Sequence, residues 1–517
     1  MLEISRRSLL LGGLAVTGTG LLAACSTPVP GPTRVFGRAA PLTAAPGQRV
    51  VERTLVPRPT TLDLGGPRVE TWAFGDRAPG PLIRATAGDL LRIRVENQLP
   101  VGTTVHWHGV ALRNEADGVP GLTQDPIAPG AAYVYEFTAP DPGTYFYHPH
   151  VGVQLDRGLY APMVIDDPDE PGDYDLEWLV VLDDWVDGTG RTPDAVLAEL
   201  TGSSARSRDD RDGMGGMGGM GGMGGMGGMG GMGAMGAMGA MGGTGGTGGT
   251  GAGDTPFGDA GDVSYPHYLV NGRVPGSPDV LRGRPGQRVR LRVINAGSDT
   301  IFTVAVGGHR LTITHTDGFP VEPRDVDAFY IGMGERYDAI VTLADGVFPL
   351  VAVPVGKKGQ AMALIRTGAG GAPGPAVRPA ELDGEVLEGA DLRPAPATRL
   401  PTRSPDATEM VHLSGQMSPY RWAINGAPYG RNDPILVGRG DRVRLRLMNM
   451  TMMTHPMHVH GHTFALPSGL RKDTVLVKPM SALSVDLQAD NPGSWMTHCH
   501  NVYHGEAGMM VALDYAA

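Results

Sequence analysis

The 517-residue chain is poor in cysteine and in aromatic residues, and it has no block of basic residues. Its 2 cysteines allow at most one disulfide, which excludes a disulfide-stapled secreted scaffold. A formal net charge of −11 without a Lys/Arg run argues against a nucleic acid as partner. Aromatic residues make up only 6%, but hydrophobic residues reach 41%, enough for real cores. The length suits roughly three domains of about 150 residues each.

The N-terminal segment also lacks a run long enough for a comfortable membrane-spanning helix, which needs about 20 apolar residues. Arg6 and Arg7 precede a short Gly/Ala-rich stretch, and the pair resembles a twin-arginine export signal. The stretch ends in Leu-Ala-Ala-Cys at 22–25, which resembles a lipobox. We therefore expect a signal peptide over 1–24, a lipid anchor on Cys25 and a tether over 25–48; an ordinary signal peptide is the alternative.

This export signal predicts a location in the cell envelope. The lipid anchor would hold the protein on the outer face of the cytoplasmic membrane, and without it the protein would be periplasmic. In both cases Cys499 is the only free thiol expected in the mature chain.

Short runs of alternating apolar residues, punctuated by Gly and Pro, dominate the chain after about residue 50. Alternation with period 2 is typical of strands with one buried face, and no long stretch shows a helical period. Three runs, 88–97, 286–295 and 440–449, share a frame, since each begins with Gly-Asp or Gly-Gln and ends on Asn. This repeat predicts one β-sandwich present three times in an all-β chain.

A low-complexity segment at 213–253 interrupts the second copy. It holds 24 of the 79 glycines and ten of the 25 methionines, with a methionine at every third position from 214 to 241. So much glycine supports neither a helix nor a core, so the sequence predicts a flexible insert. Methionine thioethers are soft ligands suited to Cu(I), whereas the alternative is a neutral linker expanded by repetition.

Ten of the 15 histidines lie in four short clusters, two early and two late in the chain. The clusters are His106 and His108; His148 and His150; His455, His458 and His460; and His498, His500 and His504. Residues i and i+2 of a strand project from the same face, so each His-x-His presents two imidazoles side by side, able to reach two adjacent metal ions. A lone histidine is more often structural, but four such pairs indicate a metal site.

The same alternation places Cys499 on the opposite face from His498 and His500. We expect its thiolate site to be completed by His455, His504 and a weak axial ligand, Met509. One Cys, two His and a distant Met form the ligand set of a blue-copper electron-transfer site. Zinc, the alternative metal, would not need the further histidines or the methionine.

These four segments resemble the four copper-binding motifs of the multicopper oxidases, and the resemblance extends over the whole chain. It is strongest to exported, lipoprotein-type actinobacterial members related to laccases and copper-efflux oxidases. The resemblance implies three cupredoxin-like Greek-key β-sandwich domains, predicted at 49–168, 172–370 (with the insert) and 405–517, with a linker at 371–404.

The resemblance also implies four copper ions and assigns their ligands. The type 1 copper would be bound by His455, Cys499, His504 and Met509. The type 2 copper would be bound by His106 and His458. The type 3 pair would be bound by His108, His148, His150, His460, His498 and His500. Since the first and last domains each supply four of the eight cluster histidines, we expect the cluster to lie between them and the middle domain to supply no ligand.

The reaction implied is one-electron oxidation of a donor coupled to four-electron reduction of dioxygen to water. Asp117, eleven residues after His106, and Glu506 are the candidate proton relays; for Asp117 the alternative is a turn residue before Gly118. Asp473 is expected near the type 1 site as a partner of its ligands.

An axial methionine should stabilise Cu(II) and favour easily oxidised donors. We expect Cu(I), in copper detoxification, as the donor, with phenols as accessory substrates. The alternatives are a laccase for organic donors, an oxidase of Mn(II) or Fe(II), and a copper-buffering lipoprotein acting through its methionine tract. The expected partners are dioxygen, the reductant and the membrane, and the expected state is a monomer.

Overall fold

A computed structural model describes residues 40–170, 172–203 and 255–516. The predicted signal peptide, Cys25 and the insert at 213–253 lie outside these ranges. Within them, no helix is long and apolar enough to cross a membrane.

The first group of strands forms what we call the first sandwich. Its strands are β1 (Val50–Leu55), β2 (Pro57–Asp63), β3 (Arg68–Phe74), β4 (Ile83–Thr86), β5 (Leu90–Glu96), β6 (His106–His108), β7 (Ala132–Thr138), β8 (Gly143–His148) and β9 (Ala161–Asp166). One sheet has the order β1-β5-β7, a second has the order β4-β9-β8-β6, and β2 and β3 pair with each other.

The middle sandwich follows, with two six-stranded sheets. Its strands are β10 (Leu176–Trp185), β11 (His267–Val270), β12 (Val280–Arg282), β13 (Arg288–Asn295), β14 (Phe302–Val306), β15 (Leu311–Thr316), β16 (Phe319–Val326), β17 (Ala328–Ile331), β18 (Arg336–Thr342), β19 (Val347–Pro354), β20 (Ala361–Arg366) and β21 (Val386–Leu387). The orders are β11-β10-β13-β18-β15-β16 and β12-β20-β19-β14-β17-β21. The predicted linker at 371–404 therefore contributes a strand, because β21 pairs with β17.

The last sandwich has a six-stranded and a five-stranded sheet. Its strands are β22 (Ala407–Met417), β23 (Tyr420–Ile424), β24 (Ile435–Val437), β25 (Arg442–Asn449), β26 (His455–Val459), β27 (Phe464–Ala465), β28 (Arg471–Lys472), β29 (Thr474–Val477), β30 (Ala482–Gln488), β31 (Ser494–Cys499) and β32 (Met510–Tyr515). The orders are β23-β22-β25-β30-β27-β28 and β24-β32-β31-β26-β29.

Helices are few and short in the described ranges. The α-helices are α1 (Pro193–Leu200) and α2 (Val502–Glu506). The Asn501 side chain caps α2 by accepting hydrogen bonds from the backbone amides of Tyr503 and His504, at 3.1 and 3.3 Å. Turns of 3-10 helix lie at Asn114–Ala116, Gln154–Asp156, Ala380–Asp383, Gly389–Asp391 and Pro396–Thr398. The chain is all-β, as its alternating pattern predicted.

The three repeated segments occupy equivalent places. β5, β13 and β25 each pair in parallel with the preceding strand of their sheet and antiparallel with the following one. The Asn that ends each repeat is buried, and its amide donates to two or more backbone carbonyls: Asn97, Asn295 and Asn449. The repeated Asn therefore ties the end of each central strand to the neighbouring loops through hydrogen bonds to their backbone carbonyls.

Two strand pairings bring the histidine clusters together. In the first sandwich, β6 pairs with β8 so that His106 is opposite His148. In the last sandwich, β26 pairs with β31 so that His458 is opposite His498. Clusters far apart in sequence thus become cross-strand neighbours, which sequence spacing alone does not show.

Candidate metal centre

A thiolate and two imidazoles form a buried group on one face of β31. The Cys499 Sγ atom lies 3.6 Å from the Nδ1 atoms of both His455 and His504, which are 3.1 Å from each other. All three side chains are buried. These separations suit three donors that share one metal ion, and the group is one of the potential metal sites in the structure.

The outer nitrogens of the two imidazoles are already engaged. Asp262 Oδ2 accepts a hydrogen bond from His504 Nε2 at 2.9 Å, so Nδ1 of that ring keeps its lone pair. The Thr451 hydroxyl donates to Asn449 Oδ1 at 2.8 Å and lies 2.8 Å from His455 Nε2.

The predicted axial ligand, Met509, lies in the same layer. It is buried, its backbone carbonyl accepts a hydrogen bond from the Cys499 amide at 3.0 Å, and its own amide donates to the His504 carbonyl at 2.9 Å. The loop from His504 to Met509 is therefore tied to the strand that holds the thiolate.

The other eight cluster histidines surround one space between the first and last sandwiches. They fall into three groups whose ring nitrogens lie within 4.8 Å of one another: His106, His108 and His458; His108, His148 and His500; and His150, His460 and His498. The structure thus brings together every histidine that the sequence predicted for the cluster.

Hydrogen bonds show which nitrogen of most rings faces the centre. Four rings hydrogen-bond through Nδ1, at 2.8–2.9 Å, to a backbone carbonyl: His106, His148, His458 and His498. A carbonyl can only accept, so each Nδ1 carries the proton and each Nε2 keeps a lone pair. In the first three of these rings, Nε2 is buried without a hydrogen-bond partner.

One contact requires a cation or a proton. His460 Nδ1 donates to Asp117 Oδ2 at 3.0 Å, and His498 Nδ1 donates to the carbonyl of Cys499. The Nε2 atoms of these two rings, both left with lone pairs, lie only 3.0 Å apart. Burial and the nearby His458 lower the pKa of His498 to about 3, which disfavours a proton there. A metal ion removes the repulsion, so the residues fit copper.

Two carboxylates occupy matching positions on opposite sides of the cluster. The Asp117 carbonyl accepts from His106 Nδ1 at 2.9 Å while its carboxylate accepts from His460. The Asp473 carbonyl accepts from His458 Nδ1 at 2.9 Å while its carboxylate lies 3.4 Å from His108 Nε2. The two rings that contact each of these aspartates also stack on each other. His106 stacks on His460 and His108 stacks on His458, each with a distance of 3.8 Å between ring centroids.

This arrangement corrects the expected position of Asp473. It lies beside the histidine cluster and not beside Cys499, because it precedes β29, whose partner β26 carries His458 next to it. The carboxylate beside the thiolate group is instead Asp262, from the segment of the middle sandwich that precedes β11. Sequence reasoning missed Asp262, since no periodicity or motif surrounds it.

Glu506 lies on the wall of a small cavity that also contacts the cluster. Other residues lining the cavity include His148, His150, His498 and His500. Burial raises the pKa of Glu506 to about 7. A carboxyl group in this position could exchange protons near neutral pH between the cavity and the cluster.

A thiolate site on one face of a strand and eight convergent histidines next to it define a copper-binding oxidoreductase of cupredoxin-like fold. Multicopper oxidase family models match residues 57–170, 252–370 and 401–516. The chain is 44% identical to the multicopper oxidase MmcO of Mycobacterium tuberculosis over 99% of its length and 97% of that protein. It therefore belongs to the multicopper oxidase family, whose members carry type 1, type 2 and type 3 coppers, four ions in all.

More distant relatives are named as copper resistance proteins or as laccases. The chain is 28% identical to copper resistance protein A of Escherichia coli, over 87% of this chain and 90% of that one. It is 30% identical to laccase-4 of Thanatephorus cucumeris, over 82% and 81%. Among solved structures, a multicopper oxidase from Pseudomonas thermotolerans matches with a TM-score of 0.66 and 25% identity, over 91% of this chain and all of that one.

Proposed function

We propose that the protein oxidises Cu(I), with phenols as accessory substrates, and reduces dioxygen to water. His455, Cys499, His504 and Met509 would hold the type 1 copper. The remaining ligands would be His106 and His458 for type 2, and His108, His148, His150, His460, His498 and His500 for type 3. The lone pairs that converge in each group support this assignment.

Bound copper would supply one-electron redox chemistry at the thiolate and multi-electron chemistry at the histidine cluster. The chain supplies the connection, because Cys499, the last residue of β31, lies between His498 and His500 in sequence and is covalently continuous with both. Cys499 and seven of the eight cluster histidines are buried, which limits the access of water to both sites.

Glu506 and Asp117 are our candidates for moving protons to the cluster. Glu506 reaches it through the cavity that both share, and Asp117 is hydrogen-bonded to His460 and to His106. Dioxygen reduction consumes protons, so at least one titratable group must connect the buried cluster with solvent.

A group of exposed methionines beside the thiolate site carries the proposal for Cu(I). Met450, Met452 and Met480 are 58%, 68% and 66% exposed. The first two flank Thr451, which contacts His455, and the amide of Met480 donates to the Thr451 carbonyl at 3.1 Å. Thioethers bind Cu(I) well and bind Mn(II) or Fe(II) poorly. We call these three residues the methionine surface.

The best single test compares donors in oxygen-uptake assays of copper-loaded protein. Replacing all three residues of the methionine surface with leucine should reduce kcat/KM for Cu(I) about tenfold, and leave phenol oxidation within about twofold. Met410→Leu, at an exposed methionine of β22, is the matched control. Equal loss with both donors, or no loss with Cu(I), would contradict the role of the methionine surface.

The alternative donors are distinguished in the same assay. A laccase would prefer the phenol, and a metal oxidase would prefer Mn(II) or Fe(II). A copper-buffering protein would protect cells after Cys499→Ser but lose protection after deletion of 213–253. Copper-loaded protein that is colourless, or that consumes no oxygen with any donor, would overturn the proposed function itself.

We also propose that the protein is exported through its twin-arginine-type signal and held at the membrane by Cys25, as a monomer. This location rests on the sequence motifs at 1–25 and on the suitability of the cell envelope for copper detoxification.

A further inference from the structure

An arginine of the middle sandwich reaches the cluster although that sandwich supplies none of the proposed ligands. Arg336 begins β18 and is fully buried. Its guanidinium forms a two-pronged ion pair with Asp473, at 2.6 and 2.7 Å. Its Nε also donates to the Thr144 carbonyl of the first sandwich at 3.0 Å. One side chain thus links all three sandwiches.

Asp473, the partner of Arg336, also contacts two rings of the cluster. Its Oδ1 atom lies 3.4 Å from His108 Nε2 and 3.5 Å from His458 Nδ1. The Thr474 hydroxyl, which donates to the same oxygen at 2.9 Å, lies 3.2 Å from His108 Nε2. With Nε2 facing these oxygens, His108 turns Nδ1, which is buried without a partner, toward the cluster.

The backbone near Arg336 fixes the same loop a second time. Asp317 Oδ1 accepts from the Arg336 amide at 3.0 Å, and its Oδ2 accepts from the amides of Asp473 and Thr474 at 3.3 and 3.2 Å. Asp317 directly follows β15 and Arg336 begins β18, the strand that pairs with β15, so this edge of the middle sandwich fixes the backbone of Asp473 and Thr474.

Two glycines pack closely against the Arg336–Asp473 ion pair and the neighbouring rings. Gly334 has φ +85°, and a Cβ there would lie 2.9 Å from His500 Cδ2 and 3.0 Å from His108 Cε1. A Cβ on Gly109 would collide with the guanidinium of Arg336 and the carboxylate of Asp473. The turn before β18 is thus in van der Waals contact with the rings, and only glycine fits at either position.

The matching carboxylate on the other side lacks this support. Within the described ranges, the ion pairs of Asp117 are with His106 and His460. Asp473 has the same two kinds of contact with His458 and His108, and in addition the guanidinium of Arg336. The middle sandwich therefore distinguishes two otherwise equivalent halves of the cluster.

We infer that Arg336 is a positioning residue of the histidine cluster, which acts through Asp473 on His108 and His458. The inference rests on the proposed binding of copper by these histidines. An arginine fork fixes both oxygens of a carboxylate, whereas a lysine offers a single point charge. Partners that orient metal-binding histidines typically change metal affinity by about 10- to 100-fold when they are replaced.

Arg336→Lys tests this inference without removing the charge. We expect the type 1 colour to remain, while type 2 copper binds about 10-fold more weakly or shows an altered EPR hyperfine splitting. Arg292→Lys is the matched control, because Arg292 is also buried in the middle sandwich and also bonds to Thr144, at 2.9 Å, but pairs with Asp338. Copper stoichiometry and EPR report these effects independently of turnover.

A second variant separates positioning from folding. Asp473→Asn keeps the size of the side chain and should also alter the type 2 signal. Adding Arg336→Lys to Asp473→Asn should then have little further effect on copper affinity, because the arginine acts through the carboxylate.

Three outcomes would overturn the inference: an unchanged type 2 signal in Arg336→Lys or Asp473→Asn, an equal loss in Arg292→Lys, or fully additive losses in the double variant. These outcomes differ from failure of the proposed function, in which the wild-type protein itself would lack type 1 and type 2 signals after copper loading.

Discussion

At the scale of single residues, the thiolate site depends on a carboxylate that is remote in sequence. Asp262 accepts hydrogen bonds from His504 Nε2 and from the Tyr420 hydroxyl, at 2.9 and 2.6 Å. A carboxylate in this position raises the basicity of the bound imidazole and stabilises the more highly charged metal ion.

Asp262→Asn should therefore raise the reduction potential of the type 1 copper. A tenfold weaker preference for Cu(II) over Cu(I) corresponds to about 59 mV, and we expect a shift of this order. Redox titration followed by the blue absorbance measures it. Tyr420→Phe removes the hydrogen bond that Tyr420 donates to Asp262 but keeps the carboxylate charge, so it should shift the potential less than Asp262→Asn. An equal shift would mean that the hydrogen bond from Tyr420, and not the charge of Asp262, sets the potential.

Glu506 offers a second test at the residue scale. Glu506→Gln should slow reoxidation of the reduced protein by dioxygen about 100-fold, the lower limit for loss of a general acid, and leave reduction of the type 1 site unchanged. Stopped-flow measurements separate the two half-reactions. Met510→Leu alters the same cavity wall without a titratable group and should reoxidise normally. Unaffected reoxidation in Glu506→Gln would leave Asp117 as the proposed relay.

At the scale of secondary structure, the repeated strands differ in their ion pairs. In the middle sandwich, Asp338 of β18 pairs with Arg290 and Arg292 of β13, and all three are buried. In the last sandwich, Asp486 of β30 pairs with Arg444 of β25 at the surface. Burial alone would raise the pKa of Asp338, but the two guanidinium groups outweigh it and lower the pKa to about 2.

Asp338→Asn should destabilise the protein by about 3 kcal/mol at pH 7, because two buried cations lose the carboxylate they share and keep only Glu170 and Glu177 as ion-pair partners. A lowered pKa stabilises the fold above the unfolded-state pKa of about 3.9, and this contribution is lost as pH falls toward about 2. Urea unfolding of wild type and variant at several pH values measures the difference. Asp486→Asn, at the exposed pair, should lower the unfolding free energy by no more than about 1 kcal/mol.

At the scale of the whole molecule, the cluster joins the first and last sandwiches while Arg336 and Asp317 connect both to the middle one. Copper that binds only the assembled site stabilises that assembly by mass action. In the absence of metal, the lone pairs that face one another in the histidine cluster should make the contact between the first and last sandwiches less stable.

Removal of copper by a chelator should therefore lower the unfolding temperature. A site filled at a thousand times its Kd contributes about 4 kcal/mol, and we expect a decrease on the order of 10 °C. Calorimetry before and after chelation measures it, and reloading with copper should restore the value. An unchanged unfolding temperature would mean that the sandwiches dock equally well without metal.

Much of the fold and of the ligand set could be predicted from the sequence because both are local properties. Alternation with period 2 follows from strand geometry, so β5, β13 and β25 could be identified along the chain. For the same reason, His498 and His500 could be placed on one face and Cys499 on the opposite face. The shared Gly and Asn frame gave the threefold repeat for the same reason.

Only the tertiary structure decided which side chains surround those ligands. Asp473 was expected beside Cys499 and lies beside His108, because its position depends on how β29 pairs with β26. Asp262 and Arg336 reach the two sites from other parts of the chain, through contacts that span 242 and 137 residues. The sequence by itself determined which residues can bind copper, because the His-x-His pairs and the Cys are local patterns. The packing of the sandwiches determined which distant carboxylates and hydroxyls orient the rings, as Asp117 does for His460 and Thr474 for His108, since those contacts exist only in the folded chain.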